Sequence, residues 1–596
     1  MPLHTPAELN ADTWRRAGQS LLAKAVAEFC YEDLLHPVEE GEGGYRIDLA
    51  SGAGYRFAAR RGAYGSWFVT PGSVRRFARG QESGAAEAAD PLLFFADARE
   101  TLGMAGDTAG HLVRELNATL AADAKLVAAG SLSAAELAEL PYERLEGYQT
   151  GHPWIVLNKG RIGFSAADAQ LYPPEARRPM SLPWIAAHHS MAEYRAVPGL
   201  DAVSLYSGEL DAETCAAFAS VLRYQELDPD DYRWLPVHPW QWDETVLTLF
   251  APYIADRRIV ALGTGPDAYL PQQSTRTFTN VSTPRRHHVK LPLSVLNTLV
   301  WRGLPTERTL AAPAVTAWVQ QIAESDPYLA EVCRVVLLGE VASVTVTHPG
   351  FDALPGVPYQ YRELLGAIWR EPLAAKLDPG ERGRTLAALL HVDPAGRAFV
   401  AELVARSGLE PREWLGRLFH AMLPPLLHYL YNYGTVFSPH GENAIVVYDE
   451  HDIPVRLAIK DFVDDVNISA KPLAELANLP SDVATVLLKE SPDYLCQFLH
   501  AGLFIGHFRY LADLAERQLG VPGREFWRLV RAEILAYQEA FPHLGERFAL
   551  FDLLAPRIDR LCLNRNRLLL DGYRDRPDRP HAAVYGTVPN PLHDPG

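Results

Sequence analysis

The segment 270–302 reads LPQQSTRTFTNVSTPRRHHVKLPLSVLNTLVWR and is rich in hydroxyl groups, guanidinium groups and other cationic side chains. A β-strand over 274–280 would place Ser274 and Arg276 on one face, about 7 Å apart. Arginine and lysine side chains at this spacing suit adjacent phosphate groups. We therefore predict a polyanion site here, with a threonine-rich edge strand as the alternative. The candidate phosphate-binding residues are Ser274, Thr275, Arg276, Lys290 and Arg302.

The segment 438–461, SPHGENAIVVYDEHDIPVRLAIKD, brings polar side chains to both ends of two apolar runs. These runs predict a β-hairpin, which puts His440, Glu442 and Asn443 at its open end beside Asp461. Oxygen ligands of this kind bind Mg²⁺ when phosphate oxygens complete its shell. We predict that both segments share a nucleoside triphosphate, with Glu442 and Asp461 as metal ligands. Capping and turn chemistry is the alternative for the His-Gly-Glu-Asn stretch.

A third polar stretch, 146–165, is punctuated by glycines and contains His152 and Lys159 close to an arginine. These side chains suit a carboxylate, although a structural histidine in a turn is the alternative. Thr298 and Arg302 are four residues apart and would be neighbours on a helical turn. We therefore predict a carboxylate-binding segment in 146–165, and we assign Thr298 and Arg302 to the polyanion site.

Nucleophilic catalysis by the protein is not indicated by any motif. The sequence contains no serine or cysteine in an elbow sequence and no His/Cys set with zinc spacing. Asp464 and Asp465, which follow the second segment, are expected to cap a helix. The predicted chemistry is the positioning and electrostatic stabilisation of a phosphoryl or acyl-phosphate centre.

Composition limits the classes of function further. The chain has 596 residues and a net charge of −17, from 73 acidic and 56 basic residues. This length predicts more than one domain, and the acidic balance disfavours nucleic acid as a partner. The five scattered cysteines form no C-x-x-C motif, which is typical of a reducing cytoplasm. No apolar run is long enough for a membrane span, so we expect no membrane partner.

Three regions can be distinguished along the chain. An N-terminal helix, a strand meander and an Ala/Leu/Glu-rich helical stretch occupy residues 1–140. Short strands and loops dominate 141–365, and helices dominate 366–596 apart from the hairpin. The proline-rich end, from Arg574 onwards, is predicted to be loosely ordered.

Three motifs occur in an order that resembles a known family. GHPWIVLNKGRIGFS, STRTFTN…KLPLSVLNTLVWR and HGENAIVV…IKDF are similar to those of the IucA/IucC family of NRPS-independent siderophore synthetases. The resemblance implies an α+β, multi-domain fold likened to a cupped hand, with antiparallel sheets and a helical C-terminal region. The thumb, fingers and palm of that hand would be residues 1–140, 141–365 and 366–596.

The resemblance also implies an activity. Such enzymes use ATP and Mg²⁺ to adenylate a carboxylate of citrate or a citrate derivative, releasing pyrophosphate. A polyamine, amino acid or amino-alcohol then attacks through its amine or hydroxyl, which gives an amide or ester and AMP. Homodimers are common in the family.

Residue roles follow from the matched motifs. Ser274, Arg276, Lys290 and Arg302 would meet the phosphates, and His440 and Asn443 would lie between nucleotide and acid. Asp461 would lie near the metal. The residues implied to hold the carboxylates are His152, Thr298 and Arg302, and those expected to act in catalysis are Arg302 and His440.

The chain departs from the family pattern at several positions. Ile155 and Val156 stand where a second His-Pro is often found, and HGEN and KDF replace HGQN and RDF. These changes leave the nucleotide site intact and the type of acid open.

Two other functions are compatible with parts of the sequence. A small-molecule phosphotransferase of the kinase type also has a His-Gly-acid stretch, but it would release ADP instead of AMP and pyrophosphate. A non-catalytic carrier for an iron chelate or organic acid would bind its ligand without any effect of ATP.

Overall fold

The computed structural model describes residues 5–78, 80–81, 84–569, 573–579 and 582–593. These residues form antiparallel sheets and helices, with a mainly helical C-terminal region, so the predicted α+β class is confirmed. None of the helices in these ranges is both long and apolar enough to cross a membrane.

The N-terminal region packs a long helix, Ala11–Tyr31, on a twisted sheet. The side chain of Asn10 caps this helix by accepting the backbone N–H groups of Asp12 and Thr13. The predicted apolar face is buried, because Leu21, Leu22, Val26 and Phe29 are each at most 3% exposed. The sheet confirms the predicted meander and comprises Val38–Glu39, Gly44–Asp48, Ala53–Arg61, Trp67–Val69, Arg75–Ala78 and Ala86–Glu87. The helices Pro91–Ala98 and Gly106–Ala129 follow.

The centre of the molecule is an antiparallel sheet within residues 180–370. Its strands lie in the spatial order Ala192–Ala196, Glu340–Val346, Gly366–Arg370, His288–Lys290, Thr277–Asn280, Ile259–Pro271, Met180–His188 and Tyr232–Pro236. Its register puts Lys290 opposite Thr277 and Ile368, and His288 opposite Arg370. The strand Gly366–Arg370 belongs to this sheet but follows residue 365, the predicted end of the second region of the chain. Helices over this sheet include Ala202–Glu209, Ala212–Tyr224 and Thr306–Ser325.

The hairpin predicted in the second polar segment is confirmed. Ala444–Tyr448 pairs antiparallel with Pro454–Lys460, and Val336–Leu338 and Arg382–Thr385 flank them in one sheet. All five residues of Ala444–Tyr448 are buried. The polar residues that precede and follow the hairpin are thereby held at one edge of a buried sheet.

Helices dominate the C-terminal region. The predicted amphipathic helix is Gly523–Ala540, and Phe526, Val530, Ile534 and Tyr537 are buried on one of its faces. The other main helices are Phe399–Ser407, Pro411–Tyr433, Ser481–Val486, Pro492–Gln497, Phe498–Phe508, Arg509–Leu514, Ala515–Leu519, Gly545–Leu550 and Leu563–Leu569.

The end of the chain is more ordered than its composition predicts. Ala583–Pro589 is a strand that pairs with Arg557–Cys562. Backbone pairing therefore outweighs the proline content here, and the prediction of a loosely ordered end is wrong for this strand. The part of that prediction that concerns residues 580–581 and 594–596 lies outside the described residues.

Candidate active site

A cavity of about 420 Å³, the first cavity, lies where three predicted segments meet. This volume is within the range of small-molecule sites. Residues 149–161, 297–302 and 438–442 contribute to its wall, together with the helical stretch around 494–507. The predicted residues that line it are His152, Lys159, Thr298, Arg302, His440 and Glu442.

The two predicted histidines of the first cavity, His152 and His440, each accept backbone hydrogen bonds at Nδ1. His152 Nδ1 accepts the backbone N–H groups of Trp154 and Ile155, both at 3.1 Å, and His440 Nδ1 accepts that of Glu442 at 3.3 Å. Burial lowers the pKa of both rings, and for His152 the nearby Lys24 lowers it further. A neutral ring whose Nδ1 accepts carries its proton on Nε2. Both rings can therefore donate to an anion but are poorly suited to accept a proton.

Arg302 is the least satisfied cation of the cavity wall. Its Nη2 donates to Thr298 Oγ1 at 2.6 Å, while its buried Nε has no protein partner. Burial, and then the charge of Arg276, lowers its pKa to about 10, which leaves it charged at neutral pH. A buried guanidinium with unused donors favours an anionic ligand.

Lys159 differs from Arg302 in this respect. Its ammonium donates to Asp123 at 2.8 Å, to the Thr150 carbonyl at 2.5 Å and to Asn158 at 3.2 Å. An ammonium has three hydrogens, so these contacts use its donors. In this conformation Lys159 fixes the 150–159 segment, and binding of a substrate would require one of these contacts to break.

The predicted phosphate residues Arg276 and Lys290 lie in a buried charged cluster beside the first cavity. Lys290 Nζ contacts Asp461 and lies 2.9 Å from Asp464. Arg370 donates to Asp461 at 2.9 Å, and Arg276 Nη2 lies 3.4 Å from Asp464. We define the charged cluster as Arg276, Lys290, Glu340, Arg370, Asp461, Asp464 and Asp465.

The carboxylates of the charged cluster are not equivalent. Burial disfavours the ionised form of Asp461, but Lys290 and Arg370 outweigh it and hold its pKa below the usual value. Burial raises the pKa of Asp465 well above its usual value, and the charges of Asp461 and Asp464 raise it further. Asp465 accepts a hydrogen bond from Asn443 at 2.6 Å. Asn443, which is predicted to contact the nucleotide, is thus hydrogen-bonded to the cluster.

The prediction of a strand over the whole of 274–280 is wrong at its start. The strand begins at Thr277, because Thr275 N–H bonds back to the Gln272 carbonyl and closes a turn. Ser274 Oγ accepts the Thr277 N–H at 3.2 Å. Ser274 therefore lies in a turn and Arg276 directly after it, and the two do not share a strand face.

The predicted neighbourhood of Thr298 and Arg302 is confirmed, but the helical turn is wrong. Both lie in a hairpin of Leu293–Asn297 and Val300–Arg302, with Thr298 at its turn. Thr298 has a φ of 56°, Thr275 of 67° and Asp461 of 74°. A non-glycine residue in this left-handed region costs roughly 1 kcal/mol or more, and such residues concentrate at functional sites.

Several cluster residues were missed by the motifs. Glu340 and Arg370 come from strands of the central sheet. The sequence GAIWR places Arg370 at the end of an apolar strand, and this pattern could have identified it as a candidate site residue. Asp464 was expected only to cap a helix, yet it contacts Lys290 and Arg276. Arg579 was also missed; it donates to the Gly303 carbonyl at 3.1 Å and to Glu363.

Comparison with known proteins gives matches along most of the chain. A family model described as IucA / IucC family matches residues 141–391. A second model, described as ferric iron reductase FhuF-like transporter, matches residues 412–576.

Curated relatives match over a longer range. The rhizobactin siderophore biosynthesis protein RhbF of Rhizobium meliloti (strain 1021) is 41% identical over 587 residues, 98% of this chain and 97% of the relative. A Bacillus anthracis protein named citryl-spermidine/3,4-dihydroxybenzoyl-citryl-spermidine:spermidine ligase is 30% identical over 76% of this chain and 72% of the relative.

A solved structure has the same architecture. Aerobactin synthetase IucC from a hypervirulent pathotype of Klebsiella pneumoniae superimposes with a TM-score of 0.85 and 32% identity, covering 98% of each chain. The relatives are named as biosynthetic synthetases or ligases, which agrees with a positively lined cavity beside a buried charged cluster. The chain belongs to the IucA/IucC family of NRPS-independent siderophore synthetases.

Proposed function

We propose that this enzyme uses ATP and Mg²⁺ to adenylate a carboxylate of citrate or a citrate derivative. It then condenses the acyl-adenylate with an amine or hydroxyl to form an amide or ester, releasing AMP and pyrophosphate. One observation carries the proposal. Arg302 lines the first cavity, while the carbonyl of the next residue, Gly303, accepts hydrogen bonds from Arg276 of the charged cluster and from Arg579. An acid at Arg302 would therefore lie beside phosphates held by the cluster.

The organic acid is assigned to the first cavity. Arg302 and Thr298 supply charge and a hydroxyl, and His152 supplies a neutral N–H donor. Adenylation requires a carboxylate to approach the α-phosphate although both carry negative charge. The buried cations offset this repulsion more strongly than exposed ones would, because the surroundings have a low dielectric constant.

The nucleotide phosphates are assigned to Arg276 and Lys290, with Ser274, Thr275 and Asn443 as polar contacts. Both cations are paired with aspartates in the structure. Binding would therefore exchange aspartate for phosphate oxygens at these two side chains. The exchange costs little free energy only if the released aspartate carboxylates gain another cation as a partner.

Magnesium would fit this requirement. Glu442 lines the first cavity, and Glu442 and Asp461 both lie close enough to His440 for their charges to raise its pKa against the lowering by burial. Oxygen ligands from one or two carboxylates and from phosphates are those that Mg²⁺ prefers. When bound there, Mg²⁺ would supply positive charge to the phosphates.

His440 is proposed to stabilise the transition states. Its Nε2–H can donate to an oxygen that gains negative charge when the carboxylate attacks phosphorus or when the acceptor attacks the carbonyl. Arg302 is proposed to hold the same acid through both steps. Arg302 and His440 are proposed as catalytic residues because both line the cavity assigned to the acid.

The relatives support the substrate classes. The Bacillus anthracis ligase carries a citryl group and spermidine in its name, which fits an organic acid and an amine. A polyamine, amino acid or amino-alcohol is the proposed acceptor. We expect a homodimer from the family resemblance. We also expect the reaction to occur in the cytoplasm, in agreement with five free cysteines.

Hydroxylamine trapping tests the proposal. The enzyme is incubated with ATP, Mg²⁺ and hydroxylamine, together with citrate or another acid from a panel. The expected products are an acyl hydroxamate, AMP and pyrophosphate, formed only when the acid is present. Release of ADP would favour the phosphotransferase. Pyrophosphate release at the same rate with and without each acid would contradict the proposal.

A further inference from the structure

A second cavity, of about 460 Å³, lies next to the first. It is enclosed by the helices Ala11–Tyr31 and Gly106–Ala129 on one side and by residues 510–517 on the other. Its volume is again that of a small-molecule site. Much of its wall is apolar, with side chains that include Leu21, Phe68, Leu126, Val127 and Leu390.

The 149–159 segment forms part of the wall of both cavities. His152, Asn158 and Lys159 line both of them. Burial lowers the pKa of His152, and the charges of nearby groups lower it further. These groups include Lys24, which lines the second cavity, and His440 and Arg302, which line the first. A ligand that fills the second cavity would therefore approach the proposed acid at His152.

Lys24 is a second cation beside this junction, on the wall of the second cavity. Its Nζ donates to the His152 carbonyl at 2.5 Å, which uses one of its three hydrogens. Burial, and then the charge of Lys159, lowers its pKa to about 7. The other titratable groups around it are Glu28 on its own helix, Asp123 on the helix Gly106–Ala129, and His391, Tyr510, Asp513 and Arg517 across the second cavity.

This inference rests on the proposed function. We propose that the second cavity is the acceptor site: an aliphatic primary amine lies along its apolar wall, reaches the acyl-adenylate past His152 and gives a proton to Lys24. The protonated amine transfers H⁺ to neutral Lys24, and its freed lone pair attacks the acyl carbon. The bond from that carbon to the phosphate oxygen breaks and AMP leaves with the bonding electron pair, while the second nitrogen proton passes to solvent water as the amide forms.

The first test fills the second cavity while leaving the first open. Leu126→Trp adds an indole to the cavity wall, and Val113→Trp places one on the same helix at a position 43% exposed and outside the cavity. We expect Leu126→Trp to raise the KM for linear diamines and N-hydroxylated diamines at least tenfold. Hydroxylamine trapping with citrate should stay within twofold, because hydroxylamine is small enough to need no such cavity. Val113→Trp should leave both reactions unchanged.

The second test concerns the proton. Lys24→Met should slow condensation of the diamines at least tenfold at pH 7. The rate should recover at pH 9 to 10, where more of the amine is already neutral, and hydroxylamine trapping should change little at pH 7. Equal losses with hydroxylamine and with diamines, or no recovery at high pH, would overturn the role of Lys24.

The failure of this inference can be separated from failure of the proposed function. Wild-type enzyme that traps no acid with hydroxylamine contradicts the proposed function. Titration calorimetry with the diamine panel, on wild-type and Leu126→Trp protein of matched Tm, then tests the second cavity by itself. Loss of binding in the variant supports the acceptor site, and unchanged binding or no binding to wild type overturns it. Loss of trapping with a citryl monoamide but not with citrate would assign the cavity to the acid and overturn the proposal.

Discussion

The first cavity and the charged cluster meet at Arg302 and Gly303, but their electrostatics differ. In the cluster, Lys290 and Arg370 each contact aspartate, and these contacts hold the pKa of Asp461 low. In the cavity, Arg302 has a hydroxyl as its partner and the histidines are neutral. The cluster is therefore neutralised without a ligand, whereas the cavity offers donors that an anion can use directly. Acid binding needs little rearrangement, and nucleotide binding needs an exchange of ion-pair partners.

The largest expected effect comes from removing the central cation of the cluster. Lys290→Met leaves Asp461, Asp464 and Glu340 without their common partner. The free energy of unfolding should fall by about 3–5 kcal/mol, because the buried cluster loses one of its cations and keeps an uncompensated negative charge, and the KM for ATP should rise. Urea denaturation and ATP titrations measure both effects.

Arg308→Met provides the control for Lys290. Arg308 lies 3.8 Å from Asp464 with its side chain 28% exposed, so its loss should cost less than about 1 kcal/mol. Equal losses of unfolding free energy in the two variants would show that burial does not determine the cost of removing a cation from these carboxylates.

Arg302→Ala should have the next largest effect, on activity. Citrate-dependent pyrophosphate release should fall about 100- to 1,000-fold, or about 3–4 kcal/mol, because the acid loses its charged donor beside the phosphates. Arg302→Lys, which keeps the charge without the fork, should recover part of the rate. A loss within about twofold, less than about 0.5 kcal/mol, would remove Arg302 from the mechanism.

Asp461→Asn should raise the Mg²⁺ concentration for half-maximal activity about tenfold, which corresponds to about 1.4 kcal/mol. The matched variant Asp464→Asn also removes a partner of Lys290 but no proposed metal ligand, so its magnesium titration should stay close to that of wild type. The same shift in both variants would point to a general weakening of the cluster. An unchanged titration for Asp461→Asn would exclude this residue as a ligand.

A further expected effect, on the pH dependence of stability, concerns a neutral histidine of the cavity wall. Burial lowers the pKa of His507 to about 3, far below its unfolded value of about 6.5. As the pH falls below about 6, the unfolded chain takes up a proton at this position and the folded protein does not. Its stabilising contribution is therefore present above pH 6.5 and is lost towards pH 3.

Replacing His507 isolates this contribution. Between pH 6 and 4.5 the His507→Gln variant should lose about 1.4 kcal/mol per pH unit less stability than wild type. Urea denaturation at several pH values measures the difference. Parallel curves for the two proteins would mean that His507 is protonated in the folded state.

Local patterns predicted the fold well where chain neighbours determine it. Alternation and amphipathic spacing were sufficient for the hairpin 444–460 and for the helix Gly523–Ala540. They failed for 274–276 and 298–302, where turns with positive φ decide the conformation. Such turns carry no glycine signal in this chain, because Thr275 and Thr298 occupy the left-handed positions.

The site was predictable only in part for a related reason. His152, Thr298, Arg302 and His440 belong to compact motifs, and the structure places all of them on the wall of one cavity. Glu340, Arg370 and Arg579 reach the site from distant strands and from the chain end, where single charged residues resemble surface residues. The register of the central sheet places Arg370 opposite His288 and Glu340, and this pairing cannot be read from the local sequence.

The contacts of Arg579 have a practical consequence. This side chain comes from the proline-rich end of the chain, yet it binds the Gly303 carbonyl that also receives Arg276. Truncation before this arginine would remove its hydrogen bonds to Gly303 and Glu363 on the nucleotide side of the site. The proline-rich composition of the deleted peptide gives no indication of this role. Expression vectors for this enzyme should therefore retain the segment that carries Arg579 and place any purification tag at the N-terminal side.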